Sequence, residues 1–569
     1  MQSRRGPISV APFVIFLILG ACGPAATPAR NSDGPAAQPA APKRLTVAMM
    51  GDPDLLIAGY MSAHQIVGHP EFTDMIARGF TIRNEEGALV PQIAEQVPSL
   101  ENGLWKLAAD GTMETTFKVR RDARWHDGAP VTSTDFLLAS RVIQDPALPT
   151  EPPDAFSYVD TVEAPDPQTI LIRWKRPFVD ADAMFGTTSR MSNLPLPAHI
   201  LAKSYAENPA GLFQEPYWAD EFVGTGPFAV KTWTRGSFIV LTANDQFFLG
   251  RPRIDEVTVR LIGDANTLAA NLLAGDVEMT LGRSLSLDQA AQVRDRWQQG
   301  DVVPLLASWL ALWPQFLNPS PAVIGNVQFR RALLHAIDRQ QLVDVLQYGL
   351  TSVADSYLAP HDPDYQDTSG GIVRYPYDPG QTARLIESLG YIRAPDGVYR
   401  DPAGQRLAVE IRTTMSDDLQ LKVAFASADF WQKAGVAAEV LPSPLQLQQD
   451  REYRATYPGF ESVRQPNDLP SILRFHSSRT PLPENRFVGN NRIRYINAEF
   501  DGLVDRYLAT IPRAERMQIG TQLVRHYLEN LMSLGLFYQA EPHFTSHRIR
   551  NAPPSKGSQT WSAQEWDVI

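Results

Sequence analysis

Cysteine is almost absent from this sequence: Cys22 is the single example in 569 residues. No disulfide framework can be built from it, and no thiol nucleophile remains further along the chain. Long apolar runs are missing too. The stretch from Ile8 to Leu19 is shorter than the roughly 20 residues a membrane-spanning helix needs. Positive charge is scarce, with 52 Lys and Arg against 63 Asp and Glu and a net charge of -11, which argues against a nucleic-acid partner. The ten histidines are scattered, and His543 and His547, although spaced i,i+4, fall in text that reads as strand and loop, so no metal motif forms. There is no Gly-x-Ser-x-Gly elbow. Gly224-Thr225-Gly226-Pro227 runs into a strand rather than a helix, and its proline removes a donor that a phosphate loop needs. His126-Asp127 sits on an extended segment, where adjacent side chains point to opposite sides, so a structural turn is expected there rather than a catalytic pair. No enzyme chemistry, metal or cofactor is expected.

What is present begins at the N-terminus. Arg4-Arg5, the apolar run and Leu19-Gly20-Ala21-Cys22 describe a signal peptide over residues 1–22. Leu-Gly-Ala-Cys resembles a bacterial lipobox, which implies lipid attachment at Cys22. Ser3-Arg4-Arg5 leaves a twin-arginine route open, although Gly6-Pro7 replace the apolar residues that should follow. Residues 23–43 are Ala, Pro, Gly and polar residues that cannot build a core, a flexible tether. The remainder is globular in composition, 44% hydrophobic and 20% charged, and long enough for two or three subdomains.

Strand and helix patterns alternate along it. Leu45 to Met50 reads as a first strand. Val223 to Leu281 reads as strand, hairpin, strand, helix, strand, with Asp264 as helix N-cap and Gly275 as stop. Thr134 is placed to cap a helix running towards Ile143. A strand is expected from Ser308, one long helix from Phe329 to a stop at Gly349, a helix from Asp417 to Ala434, and a strand near Leu534–Tyr538. The fold class is α/β.

Several landmarks occur in a recognisable order: Leu89-Val90-Pro91 with Ile93-Ala94-Glu95, Trp125-His126-Asp127-Gly128, Pro197-Ala198-His199-Ile200-Leu201 and Gly224 to Phe228. Asn244 to Pro252, Phe329-Arg330-Arg331-Ala332-Leu333 with Ala336 to Arg339, and Phe500-Asp501 with Glu515-Arg516 complete the series. In this order the chain resembles the extracytoplasmic family 5 solute-binding proteins of ABC importers, which include oligopeptide- and dipeptide-binding proteins. The resemblance implies a two-lobed periplasmic-binding-protein-like fold with an additional small domain on the first lobe. Residues 44–75, 192–305 and 536–569 would form lobe I, 76–191 the small domain and 306–535 lobe II. It also implies a monomer, held at the membrane by its lipid, that closes on a peptide or peptide-like ligand and docks to ABC permease subunits. A non-peptide ligand (an anionic opine-like compound, an oligosaccharide or a metal chelate) and a sensor role remain alternatives.

The candidate ligand-binding residues are Met50, Trp309, Phe460, Arg464 and Asp468. Peptide-binding members use a second-lobe aspartate for the ligand's amino terminus, but around that place this chain has Pro466, which departs from the pattern. Asp468 reads as an amine partner or as a helix N-cap beside Pro470. Arg464 suits a carboxylate, phosphate or sulfonate, or else steadies its lobe. Trp309, and less so Trp313, offers an aromatic wall or is core. Met50, ending the first strand, faces the cleft or the core, and Phe460 stands in the approach to Arg464.

Overall fold

Ten strands form the main sheet: β1 (Arg44–Met49), β2 (Phe228–Thr234), β3 (Phe238–Ala243), β4 (Glu256–Leu261), β5 (Met279–Thr280), β6 (Gly300–Pro314), β7 (Ala408–Thr414), β8 (Ala437–Ser443), β9 (Phe460–Gln465) and β10 (Leu534–Ser546). They lie in the order β8-β7-β9-β6-β10-β5-β1-β4-β3-β2. This is a computed structural model, and it describes residues 41–60, 66–150, 152–187, 193–415, 417–448, 450–554 and 557–569. The expected signal peptide, Cys22 and nearly all of the tether lie outside the described residues.

The first flank follows its sequence pattern closely. Leu45, Val47 and Met49 of β1 are buried, and the strand pairs in parallel with β4, from Arg44 opposite Glu256 to Met49 opposite Leu261. Helices α1 (His69–Ile76), α2 (Ser133–Gln144), α3 (Ala265–Ala274) and α4 (Leu287–Arg294) all precede β6 in the chain. Asp264 caps α3 by accepting the Thr267 N–H at 2.7 Å, and Gly275 ends the helix in the left-handed region at φ 80°. Helix α2 starts two residues earlier than the sequence suggests: the N-cap is Thr132, whose backbone N–H donates to Asp135 at 2.7 Å in a capping box. A separate four-stranded sheet, in the order Trp105–Leu107, Met113–Lys118, Thr169–Trp174 and Val159–Asp166, packs on α2.

On the second flank, the single helix expected from Phe329 to Gly349 is two: α5 (Val327–His335) and α6 (Arg339–Leu346). Asp338 breaks it, because its carboxylate accepts the Gln341 N–H at 3.0 Å and so caps a new helix instead of continuing the old one. Helix α7 (Asp418–Lys433) packs against β7, β8 and β9, with Trp431 fully buried against Phe460 at 4.9 Å between ring centroids.

Between the flanks the sheet narrows. β6 and β10 pair antiparallel from Gly300 opposite Ser546 to Leu312 opposite Leu534, with irregularities between Leu306 and Ser308 and between Leu310 and Ala311. β9 joins β6 only over Trp309–Pro314, and β5 joins β10 only at Thr545. The intervening stretch is a neck two strands wide. Pro304 lies opposite Pro542 there. Neither residue has an N–H to exchange, so the pair occupies a non-hydrogen-bonded position with both nitrogens turned outward. The neighbouring outward N–H groups of β10 are met by side chains: Ala540 donates to Gln347 Oε1 at 2.9 Å and Phe544 to Thr280 Oγ1 at 3.4 Å. The strand read from sequence as ending at Tyr538 therefore continues to Ser546.

Candidate functional site

Side chains alternate along a strand, so Gln539, Glu541, His543 and Thr545 of β10 share one face of the neck. Ser308 of β6 stands beside the first two, its hydroxyl donating to Gln539 Oε1 at 3.2 Å and to Glu541 Oε1 at 3.3 Å. From the second flank, Arg464 of β9 reaches the same place, its guanidinium 4.0 Å from the Glu541 carboxylate and 2.8 Å from Asp417 Oδ2. Asp417 has two duties. Its other oxygen caps α7 by accepting the Gln420 N–H at 3.2 Å. From the first flank, Arg283, two residues after Leu281, lies 4.0 Å from the same Asp417 oxygen. Three regions of the sheet thus meet in one mixed-charge cluster.

Burial sets its electrostatics. The Asp417 and Glu541 side chains are each only 13% exposed. Burial raises the Glu541 carboxyl above the usual carboxylate range, and Arg283 is the strongest influence pulling it back. Glu71 of α1 is pushed up to about 7, chiefly by burial, with Asp74 and Glu541 adding repulsion. Charges withdrawn from water need partners, and here two arginines and a set of acids provide them for each other. Among the described residues no group of three or more His, Cys, Asp or Glu side chains is placed to hold a metal ion. The chemistry on offer is pairing with charged groups of either sign.

Of the residues proposed from sequence, Arg464 is the one the structure places in this cluster. Trp309 is 1% exposed and stands edge-on to Tyr357 at 5.1 Å; its plane also covers the backbone of Gly535, where a Cβ would meet the ring. Its indole N–H is buried without a hydrogen-bond partner among the described residues. Phe460 is fully buried against Trp431, so its ring is core and presents no surface to a solute. Asp468 caps the short helix Leu469–Ile472, accepting the Ser471 N–H at 2.7 Å. Met50 packs beside the cluster around Ile262 and Leu268, its N–H donating to the Val67 carbonyl at 3.3 Å. Trp313 lies under the Arg492 guanidinium at 5.1 Å, and Arg492 pairs with Glu461 at 2.7 Å.

Glu71, Arg283, Ser308, Asp417 and Glu541 escape the sequence reading. One signal for them is visible in hindsight: polar residues at every second position from Gln539 to Thr545, following an apolar run, mark a central strand with one face kept wet. His126 takes the structural part expected of it. Gly224 N–H donates to its Nδ1 at 3.1 Å and its Nε2 lies 3.0 Å from the Gly226 carbonyl, which fixes the tautomer with the proton on Nε2.

Comparison with known proteins agrees with this architecture. Residues 88–472 match the family model for bacterial extracellular solute-binding proteins, family 5 Middle. The chain is 23% identical over 532 residues to the oligopeptide-binding protein AppA of Bacillus subtilis, covering 92% of this chain and 91% of that protein. The solved structure of that protein with a nonapeptide superposes with a TM-score of 0.71 at 20% identity, covering 93% of this chain and 100% of that one. NikZ from Campylobacter jejuni, in complex with Ni(L-His), gives the same TM-score of 0.71 at 20% identity, covering 92% and 99%. At these identities the structures speak for a shared two-lobed α/β fold.

Proposed function

The chain belongs to the bacterial extracellular solute-binding proteins, family 5, and on that basis we propose that it captures small peptides or peptide-like zwitterions and delivers them to the permease subunits of an ABC importer. The observation that carries this reading is the mixed-charge cluster at the neck. Arg464 and Arg283 suit a carboxylate, Glu541 and Asp417 suit an ammonium group, and both signs stand within one site. A solute bringing charge of one sign would leave the opposite residues uncompensated; a zwitterion can replace each internal partner with one of its own. Relatives whose names record oligopeptide binding support the same class.

In this reading β1 to β5 with the C-terminal residues form the first lobe, residues 76–191 its small domain and 306–535 the second lobe. The lobes close about the neck, with the ligand held between them. Cys22 carries the lipid, and the monomer works at the membrane surface. Native mass spectrometry on protein purified without refolding tests the substrate class. A co-purifying peptide, exchangeable for a synthetic tripeptide pool, is the expected result. A bound sugar, or a chelate that no peptide displaces, would refute it.

A further inference from the structure

A recess opens on the same face of the neck as Glu541, one strand step further along β10. Val303 and Leu305 of β6 with His543 and Thr545 of β10 make its floor, and Pro553 and Gln559 stand over it. Gln559 is a fixed wall: its Nε2 donates to the Thr280 carbonyl at 2.9 Å and its Oε1 accepts the Gly282 N–H at 2.9 Å. Gly282 immediately precedes Arg283, so Gln559 ties the wall of the recess to the segment that carries Arg283.

None of the residues lining it is an Asp, Glu, Lys or Arg. Burial lowers His543 to about 4, so its imidazole is neutral at neutral pH. Its Nδ1 is buried with no hydrogen-bond partner among the described residues. A buried polar atom left unpaired in apolar surroundings is costly and is rarely left so. Residues i and i+2 of a strand are about 7 Å apart. A group entering beside His543 therefore belongs to the same small molecule as one held at Glu541.

We propose that this recess is the specificity subsite for the captured solute. It takes one uncharged group with an apolar body and a hydrogen-bonding tip, such as the side chain of threonine or asparagine, while the charged cluster holds the ends. The proposal rests on the peptide reading above. It excludes carboxylate and ammonium side chains from the recess, because no opposite charge lines it.

The test uses the full chain and an equimolar tripeptide pool in which each position in turn is Thr, Asn, Ala, Asp or Lys, with retained peptides identified by mass spectrometry. Thr and Asn should be enriched about tenfold over Asp and Lys at one position. Val303→Phe, which fills the recess from a partly exposed strand position, should shift that position to Ala. His543→Phe should keep the discrimination against charge but lose the preference for Thr and Asn over Ala. Peptides retained without positional preference, or a preference unchanged in both variants, would overturn the subsite and leave the peptide reading standing. If the wild-type chain retains no tripeptide, both fall together.

Discussion

The Asp288 carboxylate of α4 lies 3.1 Å from the Lys422 ammonium of α7, tying a helix of the first flank to one of the second. Asp288 also accepts the Tyr348 hydroxyl at 2.5 Å, so two elements of the second flank converge on one acid. All three side chains border solvent, where a single ion pair contributes about 0–1 kcal/mol and salt screens it. Asp288→Ala should therefore leave the melting temperature nearly unchanged while speeding ligand release several-fold at low salt. Raising the salt should bring the wild-type rate up towards that of the variant. Stopped-flow displacement measures both, and equal off-rates at low salt would refute the role.

Arg464 joins Asp417 and Glu541, and removing it leaves those acids with Arg283 as their nearest cation. Arg464→Ala should weaken binding of the co-purified solute about tenfold to a hundredfold, the loss expected for one charge-assisted contact. Arg464→Lys should recover only part of it, since an ammonium cannot present a fork. Calorimetric titration of each variant decides this. An unchanged affinity in Arg464→Ala would remove Arg464 from the site.

Glu71 makes stability depend on pH with a definite sign. Its folded-state pKa is raised to about 7, above the ordinary value of 4.5. Between those values the folded chain binds more protons than the unfolded chain, so stability falls as pH rises, by at most about 1.4 kcal/mol per pH unit for this group. The contribution is complete below the lower value and lost above the upper one. Asp74, raised to about 6, acts in the same direction. Melting temperatures from pH 5 to 8 should decline, and Glu71→Gln should flatten the slope. A slope identical in the variant would show that Glu71 titrates normally.

The turn at Gly224 to Pro227 is held by contacts closer than a side chain permits. A Cβ on Gly226 would fall 2.6 Å from the Ala77 nitrogen and 2.6 Å from the Met75 carbonyl oxygen, both main-chain atoms that cannot swing aside. Gly226→Ala should cost about 3 kcal/mol or more and lower the melting temperature by several degrees. Its folded fraction should still bind solute, because no residue of the turn is a partner in the Arg464, Asp417, Glu541 and Arg283 ion pairs. Thermal unfolding followed by titration separates the two effects.

The block from Val223 to Leu281 was legible because its rules are local: alternation for β4, an aspartate cap and a glycine stop for α3. The break at Asp338 and the cap at Thr132 were harder, since each depends on which of two nearby polar side chains reaches the backbone first. The site was least legible. Phe460 and Trp309 are aromatic near the expected cleft, yet tertiary packing on Trp431 and Tyr357 consumes them. Glu71, Arg283, Asp417 and Glu541 come from four distant segments, and no spacing along the chain announces that they will meet. Arg464 could be singled out because it departs from the family's pattern in the segment where ligand contacts were expected.

The opposed prolines of the neck bear on mechanics. A hydrogen-bonded sheet resists flexing more as more strands share the load, and here the load passes through two. An additional strand, whether from this chain or another, finds no donor at Pro304 or Pro542 and cannot stiffen the joint by pairing there. Compliance is therefore written into the covalent structure. The joint stays thin in every molecule, and it also gives a foreign strand no template on which to begin aggregation.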